Sequence, residues 1–316
     1  MPDLKDPDSY MPDAAAVIEI ERAISDYNLA RPAIYARCRR NAVIGMAVYG
    51  VFGVIVAFNA WKFLDDGDGM GWVLGLLLLG GMGLYTVIWQ PMERHQQDLR
   101  ADLFPKLFGF IDGIRYQKNG KPGFLQQVNA LKLAPHSGAD NDDLISGRHE
   151  GLQFELLETE LTRGSGRSKE TVFKGLIFHF RLDKPFAGTL VAARGGGWFE
   201  RTMRDFWRTG PSNELKSGNL RLDESHQFFS DNFAAAKPII AGPLTSVLIW
   251  LGNQWSEGDA RIALSGDDGY LMLPSTHDYF SMPAMGDDVV YDRHVRPLVR
   301  ELVMALAVAH VVRAIG

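Results

Sequence analysis

Two long apolar runs without a charged residue stand out in the hydrophobic pattern near the N-terminus. They cover Ala42–Trp61 and Gly71–Trp89, twenty and nineteen residues. As helices rising 1.5 Å per residue, each would be roughly 28–30 Å long, the thickness of the hydrocarbon core of a bilayer. The linker between them, Lys62–Met70, is too short to hold a domain. The pattern predicts a transmembrane hairpin of two helices.

The charges that flank these runs predict the orientation of the hairpin. In the residues close to the two runs, four basic residues precede the first run, one lies in the linker and three follow the second run: Arg31, Arg37, Arg39 and Arg40, then Lys62, then Arg94, Arg100 and Lys106. Because loops rich in Lys and Arg stay in the cytoplasm, we expect a multi-pass membrane protein with both termini cytoplasmic. Neither run contains Asp, Glu, Lys, Arg or His, which argues against a transporter or pump.

The chain on either side of the hairpin is predicted to be cytoplasmic. From Ala14 to about Ala30, apolar residues recur every three or four positions, as on one face of a helix. Pro32 should interrupt that helix, because proline removes a backbone hydrogen bond. The domain organisation expected is therefore a tail with an amphipathic helix over residues 1–40, the transmembrane hairpin over residues 41–90 and a cytoplasmic α+β domain over residues 91–316.

Alternating apolar positions predict an antiparallel sheet in the cytoplasmic domain. Leu152–Thr162 and Val172–Leu182 are typical strands, joined by the polar loop Arg163–Glu170. A third strand, Phe186–Ala193, is expected after a turn at Asp183–Pro185, which would complete a three-stranded meander.

The remaining pattern adds helices to this sheet. A strand is expected from Gly218 to Asp223, and a second hairpin from Asp259–Leu264 and Tyr270–Leu273. Apolar residues at helical spacing predict helices over Pro243–Trp255 and Pro297–Ile315. The fold class predicted is α+β: an N-terminal transmembrane helical hairpin, then a cytoplasmic domain of antiparallel strands with packed helices.

Composition excludes several functions without selecting one. The chain has 316 residues, 33 Lys and Arg against 38 Asp and Glu, and a net charge of −5. This mild acidity argues against binding to nucleic acid, which needs basic patches to neutralise phosphates. A single cysteine, Cys38, cannot form a disulfide within the chain or a zinc site of the usual Cys/His spacing.

One stretch of the chain resembles a known family. Residues 142–175 contain D-L-I-S-G-R-H-E-G-L-Q-F-E-L-L-E and then V-F-K-G, and a later stretch reads E-S-H-Q-F-F-S-D-N-F. The arrangement is similar to a family of bacterial two-span membrane proteins catalogued only as a domain of unknown function. The resemblance covers roughly Ala42 to Leu273, and it implies an inner-membrane location and a fold. The resemblance implies no activity, substrate or catalytic residue, because none is known for the family.

Candidate chemistry is sparse. Asp142 and Asp143 are expected in a solvated loop before a strand, and His149 and Glu150 are adjacent, so that on a strand their side chains would point to opposite faces. His179 is predicted to be an ordinary hydrogen-bonded histidine. Ser225 and His226 with Asp223 have the residue types of a catalytic triad, but triads are assembled in space rather than in sequence. We predict no catalytic residue, metal ligand or cofactor.

The function predicted is a membrane-anchored protein with a cytoplasmic interaction domain and an unidentified protein partner. The alternative is a membrane-tethered enzyme, such as a metal-assisted hydrolase, that uses Asp142, Asp143, His149 and Glu150.

A segment of Arg and aromatic residues, 194–208, is a candidate contact with the membrane surface, because that composition suits the headgroup layer. Its contact residues would be Trp198, Phe199, Arg201, Arg204, Phe206, Trp207 and Arg208. The alternative is that its aromatic side chains pack on the sheet of the domain.

Overall fold

A computed structural model describes residues 12–63, 67–194, 214–255, 257–280 and 283–313. The chain divides into two compact units. We call residues 12–107 with 282–296 the helical unit, and residues 108–281 with 297–316 the sheet unit.

Two long helices form most of the helical unit. Helix α1 covers Ala14–Phe63 and helix α2 covers Gly67–Leu107. The predicted interruption at Pro32 is wrong, because α1 continues through this residue. A proline inside a helix costs about 3 kcal/mol, and the long helical segments on both sides outweigh that penalty.

Both helices are long and apolar enough to cross a membrane, by length and composition. The most apolar window of α1 has none of its residues buried, and that of α2 has only 6% buried. The predicted spans are therefore candidate membrane segments whose large apolar side chains are exposed, among them Val43, Val51, Val54, Leu76 and Leu79.

Small residues let α1 and α2 approach closely. The Tyr49 hydroxyl donates a 2.7 Å hydrogen bond to the Leu77 carbonyl oxygen. A Cβ atom at Gly80 would collide with the Tyr49 hydroxyl, and one at Gly81 would lie only 3.1 Å from the Tyr49 ring. These glycines therefore pack within the hairpin.

A segment far along the chain belongs to the helical unit, and we call residues 283–296 the return segment. The Asn28 side-chain amide forms a matched pair of hydrogen bonds with Val289: Nδ2 donates to its carbonyl at 2.8 Å, and its N–H donates to Oδ1 at 3.0 Å. The buried Arg31 guanidinium donates to the Met285 carbonyl oxygen and pairs with Asp288. Two polar residues of α1 therefore hold the return segment.

The sheet unit contains a seven-stranded antiparallel sheet in the order β1–β2–β3–β4–β6–β5, with β7 also paired to β4. The strands are β1 Asp112–Lys118, β2 Gly138–His149, β3 Leu152–Arg163, β4 Glu170–Arg194, β5 Glu214–Leu215, β6 His226–Ser230 and β7 Arg261–Pro274. The helices are α3 Leu125–Ala130, α4 Leu220–Ser225, α5 Phe233–Ile239, α6 Thr245–Gln254 and α7 Arg296–Arg313. The predicted α+β class with an antiparallel sheet is confirmed.

Two predicted turns are bulges in long strands. The expected strand Phe186–Ala193 is the second half of β4, and the expected hairpin of residues 259–273 is the single strand β7. Arg181 pairs with Asp268 and Phe186 pairs with Gly266, so residues 182–185 bulge opposite Asp267. The residues that favour turns in β4 and β7 lie opposite each other. Because the two strands pair on both sides of these residues, each strand continues instead of turning back.

Of three further elements predicted in the sheet unit, the structure contradicts one strand and confirms two helices. The strand expected at Gly218–Asp223 is wrong: helix α4 begins after Asn219, whose side chain accepts a hydrogen bond from the Leu222 N–H at 3.2 Å. Such a cap favours a helix over a strand. The helices expected at residues 243–255 and 297–315 are confirmed in their described parts, and both bury their apolar faces.

Residues 233–254 also have the length and composition of a membrane span, the third such helix in the described part of the chain. The helix is kinked at Gly242, and 33% of its most apolar window is buried. Residues on its inner face, such as Ile240, Leu244 and Leu248, are almost completely buried. It is therefore a core element of the sheet unit.

Both faces of the central strands are buried. Ile177 and Leu157 belong to a core cluster that includes Phe124, just before α3, and Val128 within it. Alternate residues are equally buried, and the Phe154 and Phe178 rings stack at 5.0 Å. Buried polar side chains in such a sheet, among them Asp143 and Glu158 in the middle of β2 and β3, are exceptions, and they mark a candidate site.

Candidate functional site

The first candidate site is a group of carboxylates around the middle of β2. Asp142, Asp143 and Asp278 place carboxylate oxygens within 4.8 Å of one another. Asp143 is fully buried, and the Tyr116 hydroxyl of β1 donates a 2.5 Å hydrogen bond to its Oδ1. The prediction of a solvated loop here is wrong, because residues 140–143 lie within β2. The ladder shifts register between Asn141 and Leu144, which turns Asp143 inward.

Glu158, on the neighbouring strand β3, extends this group. Its carboxylate accepts hydrogen bonds from the backbone N–H groups of Tyr279 and Phe280, at 3.0 and 3.4 Å. Burial, together with the negative charges of Asp278 and Asp143, raises the pKa of Glu158 to about 8, although the two N–H donors oppose the shift. This carboxyl can therefore exchange a proton near neutral pH.

These carboxyl groups border an open cleft of about 280 Å³. Its lining also contains Asn119, Asn141, Glu160 and Lys174. Oxygen-rich surroundings of this kind suit hard cations, but exposed acidic groups are also common without one.

The second candidate site joins the end of β2 to α7. The Nδ1 atom of His149 lies 2.8 Å from the Nε2 atom of His310, and the ligand atoms of these histidines and Glu150 all lie within 4.8 Å of one another. The argument that His149 and Glu150 point to opposite faces is wrong, because β2 ends at His149. Glu150 has a φ of +46°, which places it in a turn rather than on the strand.

The four residues of the predicted enzyme alternative fall into two groups. Asp142 and Asp143 belong to the carboxylate group, whereas His149 and Glu150 belong to the histidine group. His149 lies seven positions from Asp142 along β2, roughly 23 Å for extended chain. The structure does not bring the four together in one site.

A larger polar cleft, of about 490 Å³, crosses β1 to β4. Three exposed arginines, Arg115, Arg148 and Arg181, line it together with His179. The ring nitrogens of His179 contact Glu155 at 3.2 Å and Asp268 at 2.9 Å. The prediction that His179 is an ordinary hydrogen-bonded histidine is confirmed, and the cleft exposes a cluster of guanidinium groups.

The Ser225–His226 pair does not form a triad with Asp223. Ser225 Oγ lies 2.8 Å from His226 Nδ1, and the other ring nitrogen of His226 lies 3.0 Å from the Ala260 carbonyl oxygen. The Asp223 carboxylate instead accepts a hydrogen bond from the Ser217 N–H. Burial lowers the pKa of His226, so this histidine is neutral in the core.

The predicted membrane-surface residues, from Trp198 to Arg208, lie outside the described residues. Sequence reasoning missed four members of the two sites that the structure does describe: Glu158, Tyr116, Asp278 and His310. Each comes from a different part of the chain, and no local motif links any of them to β2.

Comparisons with known proteins fit this picture of an α+β domain without an assigned activity. Residues 171–313 match the model of a family described as a protein of unknown function (DUF3137). The expected resemblance to a family catalogued as a domain of unknown function is confirmed, and the match begins near the start of β4 and ends with α7. No curated protein matches the sequence.

Among solved structures, the crystal structure of the mycobacterial trehalose monomycolate transport factor A, TtfA, is similar at 11% sequence identity. The alignment covers 62% of this chain and 88% of that chain, with a TM-score of 0.32. A likeness at this level supports no inference about function.

Proposed function

We propose that this chain is a membrane-anchored protein whose sheet unit is a cytoplasmic interaction domain. The observation that carries the proposal is the exposure of large apolar side chains along both long helices. Water-soluble proteins rarely expose such continuous apolar surface, whereas a bilayer solvates it. The proposed anchor is the hairpin of residues 41–90, and the proposed cytoplasmic part, residues 91–316, contains the sheet unit together with the end of α2 and the return segment.

The orientation proposed is that of a multi-pass protein of the bacterial inner membrane with both termini in the cytoplasm. The excess of basic residues before Ala42 and after Trp89 supports it. Reporter fusions after Ile315 test it: a cytoplasm-active reporter should give signal, and a periplasm-active reporter should not. A fusion in the linker at Asp66 should give the reverse pattern. A periplasmic signal after Ile315 would overturn the orientation.

The interaction proposed is with a protein partner that presents acidic side chains. The three arginines of the 490 Å³ cleft support this choice, because guanidinium groups bind carboxylates bidentately. The test is affinity purification from native membranes with the wild type and with the Arg115→Glu/Arg148→Glu variant. Arg163→Glu, at an exposed ion pair with Glu170 away from the cleft lining, is the matched control. A partner retained equally by all three proteins would contradict binding at the cleft.

The segment at residues 194–208 is proposed as a second contact, with anionic lipid headgroups. Its composition supports this contact, since each Arg near an anionic surface contributes on the order of 1 kcal/mol. The enzyme alternative has weaker support, because its four residues do not converge.

A further inference from the structure

The contact between His149 and His310 joins elements that lie far apart in the sequence. His149 is the last residue of β2, and His310 lies on α7. His149 is almost completely buried, at 3% exposure, and the Phe110 ring packs against it edge-on at 5.6 Å. This packing holds the His149 ring with Nδ1 directed at His310.

The chemistry of these groups matches a first coordination shell. In the neutral form each imidazole has one nitrogen that can bind a metal, and a carboxylate adds an oxygen ligand. Two histidines with one carboxylate are a known ligand set for Zn²⁺, in which a water takes the fourth position. We propose that His149, His310 and Glu150 bind Zn²⁺.

The distances agree with this assignment after a small adjustment. Zn–N bonds are about 2.0–2.1 Å long, so two nitrogens on a tetrahedral ion lie about 3.4 Å apart. The Nδ1–Nε2 separation of 2.8 Å needs to open by only about 0.6 Å. Glu150 sits in an exposed turn, where its side chain has room to complete the shell.

The site would link the sheet to the last helix of the sheet unit. Zinc would fix the end of β2 to α7, because it binds residues from both. Its occupancy would fall at acidic pH, because protonated imidazole cannot bind a metal. This inference is independent of the proposed topology and of the arginine cleft.

The test is zinc titration of the purified full chain in detergent, after removal of metal with a chelator. We expect one tightly bound Zn²⁺ per chain, and Co²⁺ should give the visible absorption of a tetrahedral site. His149→Gln and His310→Gln should each weaken binding by roughly 100-fold or more, since even outer-shell changes cost 10–100-fold. Glu150→Gln should weaken it by about 10-fold or more, with no effect on the fold because the residue is exposed.

The matched control is His277→Gln. His277 also lies beside a carboxylate, with Nδ1 at 2.6 Å from Glu257, but it is not part of the His149–His310 group. This variant should bind zinc as the wild type does. The proposal is overturned if the wild type binds no more zinc than the His149→Gln/His310→Gln double variant, or if Glu150→Gln and His277→Gln reduce binding equally.

Discussion

Glu158 makes the stability of the sheet unit depend on pH in a direction opposite to that of an ordinary carboxylate. Its pKa rises from 4.5 to about 8 in the folded protein, chiefly through burial. Below pH 4.5 the group is protonated in both states, and its contribution to stability is complete. As the pH rises towards 8, only the unfolded chain releases the proton, so the free energy of unfolding falls. Above pH 8 this contribution is lost.

The size of the effect follows from the shift. At 1.36 kcal/mol per pKa unit, a change from 4.5 to about 8 corresponds to at most about 5 kcal/mol. A domain of this size changes its Tm by roughly 2–4 °C per kcal/mol. The Glu158→Gln variant has no charge to bury at high pH, and its amide oxygen can still accept from the Tyr279 N–H. Between pH 5 and pH 8 this contribution changes by about 4 kcal/mol, so the Tm of the variant should rise relative to that of the wild type by up to roughly 8–16 °C between pH 5 and pH 9.

The measurement is thermal unfolding of the full chain in detergent, followed by tryptophan fluorescence with a metal chelator present. Glu170→Gln is the control, because this exposed carboxylate pairs with Arg163, whose guanidinium stays charged over the whole range. That variant should differ from the wild type by a constant amount between pH 5 and pH 9. A Glu158→Gln difference that is also constant over this range would refute the reasoning.

Three further predictions concern other parts of the chain. Gly175→Ala should lower the Tm by an amount equivalent to roughly 1–3 kcal/mol, because Gly175 has a φ of +140° and an added Cβ would collide with the Leu273 carbonyl oxygen. The control Gly252→Ala should not lower the Tm, because an added Cβ meets no atom there. Asn28→Ala removes two hydrogen bonds, about 1–3 kcal/mol together, and should speed hydrogen exchange in the return segment, whereas Asn59→Ala should not. In nanodiscs, hydrogen exchange of residues 194–208 should slow as the anionic lipid content rises, and Trp198→Ser/Trp207→Ser should abolish that dependence. Exchange that ignores lipid composition would contradict the membrane contact.

Much of the fold could be predicted because its signals are local. The uncharged runs at Ala42–Trp61 and Gly71–Trp89 and the alternation in Val172–Leu182 each depend on neighbouring residues alone. The errors arose where a distant partner overrides a local signal. Asp183–Pro185 is typical of a turn, yet pairing of β4 with β7 on both sides of it keeps the strand continuous.

The sites were harder to predict than the fold for the same reason. Whether Asp143 is exposed depends on a register shift against β3, which its own sequence does not indicate. His310 lies 161 positions from His149, on a helix whose apolar pattern reveals only which face is buried. Side chains of adjacent residues point to opposite faces only within a strand. This rule does not apply to His149 and Glu150, because β2 ends at His149.

The return segment also has a consequence for the order in which the protein assembles. Asn28 and Arg31 leave the ribosome long before their partners in the return segment, which are Val289 for Asn28, and Met285 and Asp288 for Arg31. Between Leu107 and Val289 the ribosome adds 182 residues (289 − 107), which takes roughly 9–36 s at about 5–20 residues per second. Through that interval the nascent helical hairpin exists without its final contacts. The helical unit is therefore begun before the sheet unit, yet it can be completed only after most of the sheet unit has been synthesised.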